Sequence, residues 1–167
     1  MRIIRNRKIV EDGWIHVADD AEVPADGDVI VSWKRWRESR EALLARSGSG
    51  SARLGVRLPN TLDPHEVQAD LPHFALIAVE FPKYRDGRGL SIARMVRREG
   101  FRGELRAVGN VLRDQLFYME RCGFDAFEVD KSKSIENALE AFSELSVTYQ
   151  DAIQPRSVPR QHRWRRS

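Results

Sequence analysis

The chain predicts an α/β protein built on one open, mainly parallel β-sheet, and three observations carry that expectation. After residue 29, short apolar runs of strand length alternate with amphipathic stretches of helix length about five times over. Repeated strand–helix units with short connections lay their strands side by side in one direction. The strongest run, Ala75 to Phe81 (ALIAVEF), is broken only by Glu80, as suits a central strand covered on both faces.

In order, RIIRNRKIVEDGWIHVA alternates through Ile3, Ile9, Val10, Trp14, Ile15 and Val17 and reads as a short β-hairpin. Asn6-Arg7 and Asp12-Gly13 are its candidate turns. The segment ADDAEVPADGD is an acidic connector. Val29 to Val31 is a strand, and Ser32 is placed to cap a helix over Trp33 to Arg46 with a stripe of Trp33, Trp36, Leu43 and Leu44. SGSGS (residues 47–51) links this to a strand over Arg53 to Leu58. Asp63-Pro64-His65-Glu66 has the residues of a helix start: a capping acid, proline at the first position and glutamate at the third.

After Ala75–Phe81, Ile92, Ala93 and Val96 recur at helical spacing until Gly100. Leu105 to Val108 is the next strand, and Leu112, Leu116 and Met119 line a helix that stops at Gly123. Phe124 to Val129 is the last strand. Ile135, Ala138, Leu139, Phe142, Leu145 and Tyr149 make the cleanest apolar stripe of the chain, and Pro155 and Pro159 follow it. Residues 1–150 thus read as a single domain, with the hairpin in 1–20 and the β–α units in 29–150, and residues 151–167 as a basic flexible tail. Five strands are too few for an eight-fold barrel, which takes about 200 residues or more. The expected architecture is a three-layer, five-stranded, flavodoxin-like sheet. A partial (β/α) barrel is the alternative, because periodicity does not set strand order.

Composition narrows the function. The chain has 167 residues, 41% of them hydrophobic and 32% charged, and no apolar run approaches the roughly 18 residues of a membrane span. The N-terminus lacks the apolar core of a secretory signal, and the lone Cys122 cannot form an intramolecular disulfide, so a cytoplasmic location is expected. The net charge of +3 comes from the tail: without Arg156, Arg160, Arg163, Arg165 and Arg166, 23 basic residues face 25 acidic ones. A nucleic-acid-binding body is not expected; only the tail, with Trp164 among its arginines, has that character. His16, His65, His73 and His162 are scattered and show no metal-ligand spacing.

Parallel strands bring the turns that follow them to one edge of the sheet, the usual place for ligands. That edge collects Arg57, the DGRGLS turn with Asp86, Gly87, Arg88, Gly89 and Ser91, then Asn110, Arg113 and Asp114, and finally Lys131. Its cations and helix N-termini favour an anion. Gly87 and Gly89 could turn their N–H groups toward an oxyanion, or could simply fit a tight strand–helix turn. Asn110 is the candidate N-cap of the next helix, with Asp114 complementing its dipole. Arg113 at the same end works against that dipole and calls for a counter-anion. The turn matches neither a P-loop nor a dinucleotide fingerprint. Glu80 and Glu128 sit at strand ends, where either could do acid–base work; pairing with Arg57 or Arg106 is the expected role. Cys122 ends a helix, the wrong end to stabilise a thiolate, and reads as a core thiol.

FPKYRDGRGLSIARMVR, GELRAVGNVLRDQLFYMERCGFDAFE and the preceding RLGVRL resemble the signature of domain-of-unknown-function family 934, a bacterial family labelled an oxidoreductase of sulfite reduction. The resemblance covers Val29 to Glu140. It departs at Asn110, where the family leads one to expect aspartate. It implies a link to assimilatory sulfur metabolism, because relatives tend to be encoded beside a sulfite or nitrite reductase, and it implies no established activity. The residues name no cofactor, and one cysteine cannot ligate a four-iron cluster. Two functions are expected from this. The first is an accessory protein of sulfite reduction that binds a small oxyanion or docks to sulfite reductase or another sulfur-assimilation enzyme. The alternative is a small enzyme using Asp86, Arg88, Arg113 and Asp114 on a phosphate- or sulfur-bearing substrate.

Overall fold

The computed structural model describes residues 1–48, 52–83, 87–130 and 133–143. Among these, eight strands form one sheet: β1 (Arg2–Arg5), β2 (Lys8–Glu11), β3 (Ile15–His16), β4 (Val29–Ser32), β5 (Leu54–Leu58), β6 (Leu76–Phe81), β7 (Glu104–Gly109) and β8 (Ala126–Phe127). The helices are α1 (Trp33–Gly48), α2 (Pro64–Val67), α3 (Arg88–Arg98), α4 (Leu116–Arg121) and α5 (Ile135–Glu140), with 3₁₀ turns at Gln68–His73 and Arg113–Gln115. The strand order is β2-β1-β8-β7-β6-β5-β4-β3.

This order corrects the flavodoxin-like expectation. Six strands, β3 to β8, run parallel and lie in chain order, whereas a flavodoxin-like sheet reverses direction and carries helices on both faces. With right-handed crossovers, a sequential order sends every helix to the same face. Alternate residues along the strands show it. Val29, Val31, Leu54, Val56, Leu58, Ile77, Val79, Phe81, Leu105 and Ala107 join one core with Trp36 and Leu43 of α1, Ile92 and Val96 of α3, Leu116 of α4 and Ile135 of α5. The intervening Ile30, Leu76, Ala78 and Val108 join a second, smaller core whose added member is Trp14, with no helical residue among those described.

The bare face is concave. The chain leaves β2 at one edge and enters β3 at the other after only Asp12, Gly13 and Trp14. Four peptide steps reach at most about 14 Å, whereas the edges of a flat eight-stranded sheet lie about 34 Å apart. The sheet therefore curls into a half-barrel, the partial-barrel alternative. Asp12-Gly13 is not a hairpin turn but a strap across the mouth, and it carries Trp14 into the concave core.

Local chemistry accounts for the remaining joints. Asn6 and Arg7 both take positive φ (50° and 59°), as a two-residue hairpin turn demands. The Arg7 guanidinium fastens this turn to α4 by donating to both carboxylate oxygens of Glu120, at 2.8 and 2.6 Å. β1 then pairs antiparallel with β8 through Ile4↔Phe127 and Arg5↔Ala126. Ser32 accepts from the Arg35 N–H at 3.0 Å and caps α1, which kinks at Ser39. Asp63 accepts from the His65 N–H at 3.0 Å, but the helix it opens lasts only four residues before Pro72 sits in a 3₁₀ turn. The last strand is two residues long rather than six. Of the final apolar stripe, α5 shows Ile135 to Glu140, while Leu145, Tyr149 and the tail of 151–167 lie outside the described residues. No helix among the described residues is long and apolar enough to cross a membrane.

Candidate functional site

The concave face holds polar residues where the convex face holds helices. At its centre Arg106, in the middle of β7, is completely buried. Its Nη1 and Nη2 donate to the two oxygens of Asp12 at 2.8 and 2.9 Å, its Nε to Glu104 at 2.8 Å, and Nη1 also to Glu128 at 2.9 Å. Burial opposes the charge of this guanidinium. The hydrogen bond to Asp12, the field of Glu104 and the bond to Glu128 outweigh it, and the Arg106 pKa is pushed above its usual value. Burial likewise pushes the Asp12 and Glu128 carboxyls up. Arg106, with the Trp14 N–H and His16 for Asp12 and chiefly His16 for Glu128, overcomes that and holds both below the ordinary carboxylate range. Both are therefore ionised at neutral pH.

Curling brings the far edge into the same cluster. His16 lies on β3 and Glu128 follows β8, yet His16 Nε2 is 2.9 Å from Glu128 Oε1. An ionised carboxylate only accepts, so in the neutral ring Nε2 carries the proton and Nδ1 the lone pair. Asp12, His16 and Glu128 bring one potential ligand atom each within 4.8 Å of one another. They fit a cation poorly. Arg106 already bonds both carboxylates, and the imidazole Nε2 that faces them is spent on Glu128, so a guanidinium supplies the positive charge a metal would bring there.

Beside this cluster, at the C-terminal ends of the parallel strands, two clefts adjoin. The larger, about 680 Å³, is lined by Ser32, Trp33, Lys34 and Arg37 at the start of α1, with Asp19 and Glu38. The smaller, about 380 Å³, is lined by His16, Glu128, Phe81, Val108 and Gly109. Arg57 and Glu80 belong to both. Arg57 Nε lies 2.9 Å from Glu80 Oε1, and both side chains are about one-third exposed (32% and 40%). The ion-pair reading of Glu80 and Glu128 holds: Glu80 meets Arg57, and Glu128 meets Arg106. The register explains both. Arg57 and Arg106 stand level on either side of Ala78, and the acids lie one same-face step further on.

Of the ten residues singled out in the sequence, Arg57 lines the clefts. Asp86 and Lys131 lie outside the described residues. Gly87 precedes α3 with φ −77°, so it needs no glycine-only conformation, and exposed Arg88 begins the helix. Gly89 serves packing: a Cβ there would stand 2.7 Å from Phe81 Cζ and 3.1 Å from Val79 Cγ1. Ser91 is exposed on α3. Asn110 is not a helix cap. Its N–H donates to the Phe81 carbonyl at 2.7 Å, and a 3₁₀ turn over Arg113–Gln115 intervenes before α4. Arg113 finds a counterpart within the protein, since its Nε donates to the Asn137 carbonyl of α5 at 2.9 Å. Asp114 is exposed in that 3₁₀ turn. Cys122 is a buried thiol at the C-terminus of α4.

No local pattern in the sequence marks His16, Asp12, Lys34 or Arg37 as site residues. One signal was available: an arginine amid the apolar ELRAVG strand must meet acids if buried, and acids from elsewhere had to reach it.

A family profile described as a bacterial protein of unknown function (DUF934) matches residues 55–159. The chain belongs to this family. The match starts in β5, so Arg57, Glu80, Arg106 and Glu128 fall within the DUF934 region, while Asp12, His16, Lys34 and Arg37 precede it. Neither the curated proteins nor the solved structures compared with this DUF934 chain gave a match.

Proposed function

We propose that this DUF934 protein is a cytoplasmic accessory protein of assimilatory sulfite reduction that binds a small oxyanion in the paired clefts and docks to the reductase. The observation that carries the binding is the position of Arg57. It lines both clefts with its Nε held toward Glu80, and Lys34 and Arg37 line the larger cleft with it. A guanidinium orients planar or tetrahedral oxyanions through its forked donors better than a lysine does. The sulfur assignment rests on the likeness of RLGVRL, FPKYRDGRGLSIARMVR and the following motif to DUF934 relatives.

Calorimetric titration with sulfite and with sulfate tests the binding. Saturable heat is expected from the full chain, and Arg57→Gln should weaken affinity by about tenfold or more, equivalent to about 1.4 kcal/mol. An affinity that survives the substitution unchanged removes Arg57 from the site. Docking is tested by a pull-down at native expression, comparing the full chain with one truncated after Pro155; recovery of a sulfite reductase subunit by the full chain alone is the expected result.

A second reading, a small enzyme acting on a phosphate- or sulfur-bearing substrate, is favoured by one observation. The smaller cleft places His16, backed by Glu128, in the same cavity as Arg57, a base beside an anion clamp. Turnover that vanishes in His16→Gln while binding remains would favour it.

A further inference from the structure

Among the described residues His16 is the one imidazole at the clefts, and its surroundings assign it a task in binding. Its Nε2 proton is committed to Glu128, and among the described residues its Nδ1 has no hydrogen bond. The ring is partly exposed, 29%, and it shares the smaller cleft with Arg57. The charged groups that face it are Glu128 beyond β8, Asp12 of the strap, Arg106 of β7, Arg57 of β5 and Glu80 of β6; β4 sets the uncharged Ile30 in register with it. Asp12, Glu104 and Glu128 are three carboxylates served by Arg106 and, at 3.4 Å from Glu104, by Arg5.

We propose that the cleft binds a small oxyanion together with one proton, His16 Nδ1 taking that proton so that the anion is held between Arg57 and the His16 imidazolium. This rests on the oxyanion reading above and adds the protonation state of the ligand. The ligand class it implies is an oxyanion that carries an exchangeable proton near neutral pH, as bisulfite and dihydrogen phosphate do. On binding, the anion's O–H bond breaks, its electron pair stays on oxygen, and an N–H bond forms at Nδ1. The imidazolium then donates to the anion through Nδ1 and to Glu128 through Nε2, with both ring nitrogens as donors. Glu128 fixes the ring and Arg106 fixes Glu128, so His16 is presented by the folded cluster rather than by a free side chain.

The test is titration calorimetry of the full chain with sulfite and with inorganic phosphate at about pH 8, where free imidazole is neutral, in two buffers of different ionisation enthalpy. About one proton should be taken up per anion bound, and affinity should fall about tenfold per pH unit above that point. His16→Gln, which keeps a donor for Glu128, should still bind through Arg57 but with no proton uptake and no such pH dependence. In the wild type, nuclear magnetic resonance of the His16 ring should show conversion to imidazolium on adding sulfite, a readout that needs no substitution. Binding without proton uptake, uptake that persists in His16→Gln, or a ring that stays neutral when saturated would each overturn the role of His16 and leave the oxyanion reading intact. No heat with either anion would overturn both.

Discussion

The two faces of one sheet do opposite work with the same strands. On the convex face, Val56, Val79 and Leu105 are fully buried against helices, and their contribution is apolar area removed from water. One residue along each strand, the concave face holds Arg57, Glu80 and Arg106, whose value depends on a partner being present. A side chain lost from the convex face leaves a cavity. One lost from the concave face leaves an unpaired charge. The period-two alternation of a strand thus separates what holds the fold from what gives the mouth its chemistry.

The sharpest way to break this comparison is Arg106→Leu, which strands Asp12, Glu104 and Glu128. Denaturant unfolding should show a loss of about 3–5 kcal/mol, although the new residue is apolar and fully covered. A loss below about 1 kcal/mol would mean that the concave charges do not depend on one another. Next in size is a test of the convex face. Gly89→Ala drives a methyl group to within 2.7 Å of Phe81 and should cost about 1–3 kcal/mol without altering anion binding.

Acid should attack the concave face first. Asp12 and Glu128 have folded pKa values below their unfolded ones, so their contribution is present above the ordinary carboxylate range, near pH 4, and is lost as pH falls through the folded values. Asp125 works in the opposite sense. Burial holds its carboxyl above the ordinary value despite the Arg97 ion pair at 2.7 Å, so its protonation adds slightly to stability as pH falls and offsets part of that loss. Unfolding midpoints followed from about pH 7 to about pH 3 should fall, and Asp12→Asn should flatten that fall. The smallest effect is expected at the rim: Arg57→Gln should change stability by less than about 1 kcal/mol, since its pair with Glu80 is about one-third exposed. Binding and folding are then separable at one position.

Much of the fold could be read from the chain because each strand–helix unit announces itself locally. ALIAVEF, the cap at Ser32 and the stops at Gly100 and Gly123 need no knowledge of distant residues. Even the ion-pair role of Glu80 and Glu128, with Arg57 or Arg106 as the partners, could be expected of acids near the ends of neighbouring strands; which acid meets which base is set by the register. What could not be read was closure. Asp12-Gly13 has the composition of a hairpin turn, and nothing local distinguishes a turn from a strap that leads to the opposite edge. Read as a turn, that step keeps Ile15–His16 in the hairpin, leaves the partial barrel as no more than an alternative, and gives no reason to set His16 beside Glu128. Gly89 misled in another way: a glycine needed because Phe81 stands against it looks the same, in sequence, as one whose N–H greets an anion.

The pairing of β1 with β8 has a consequence for how the chain is made. β8 is synthesised long after β1 and β2, so the edge of β1 turned away from β2 has no strand to pair with until about residue 127 has been made. Closure of the mouth, and with it assembly of the charged cluster around Arg106, waits for β8, and until then that edge of the N-terminal hairpin is open to pairing with other strands.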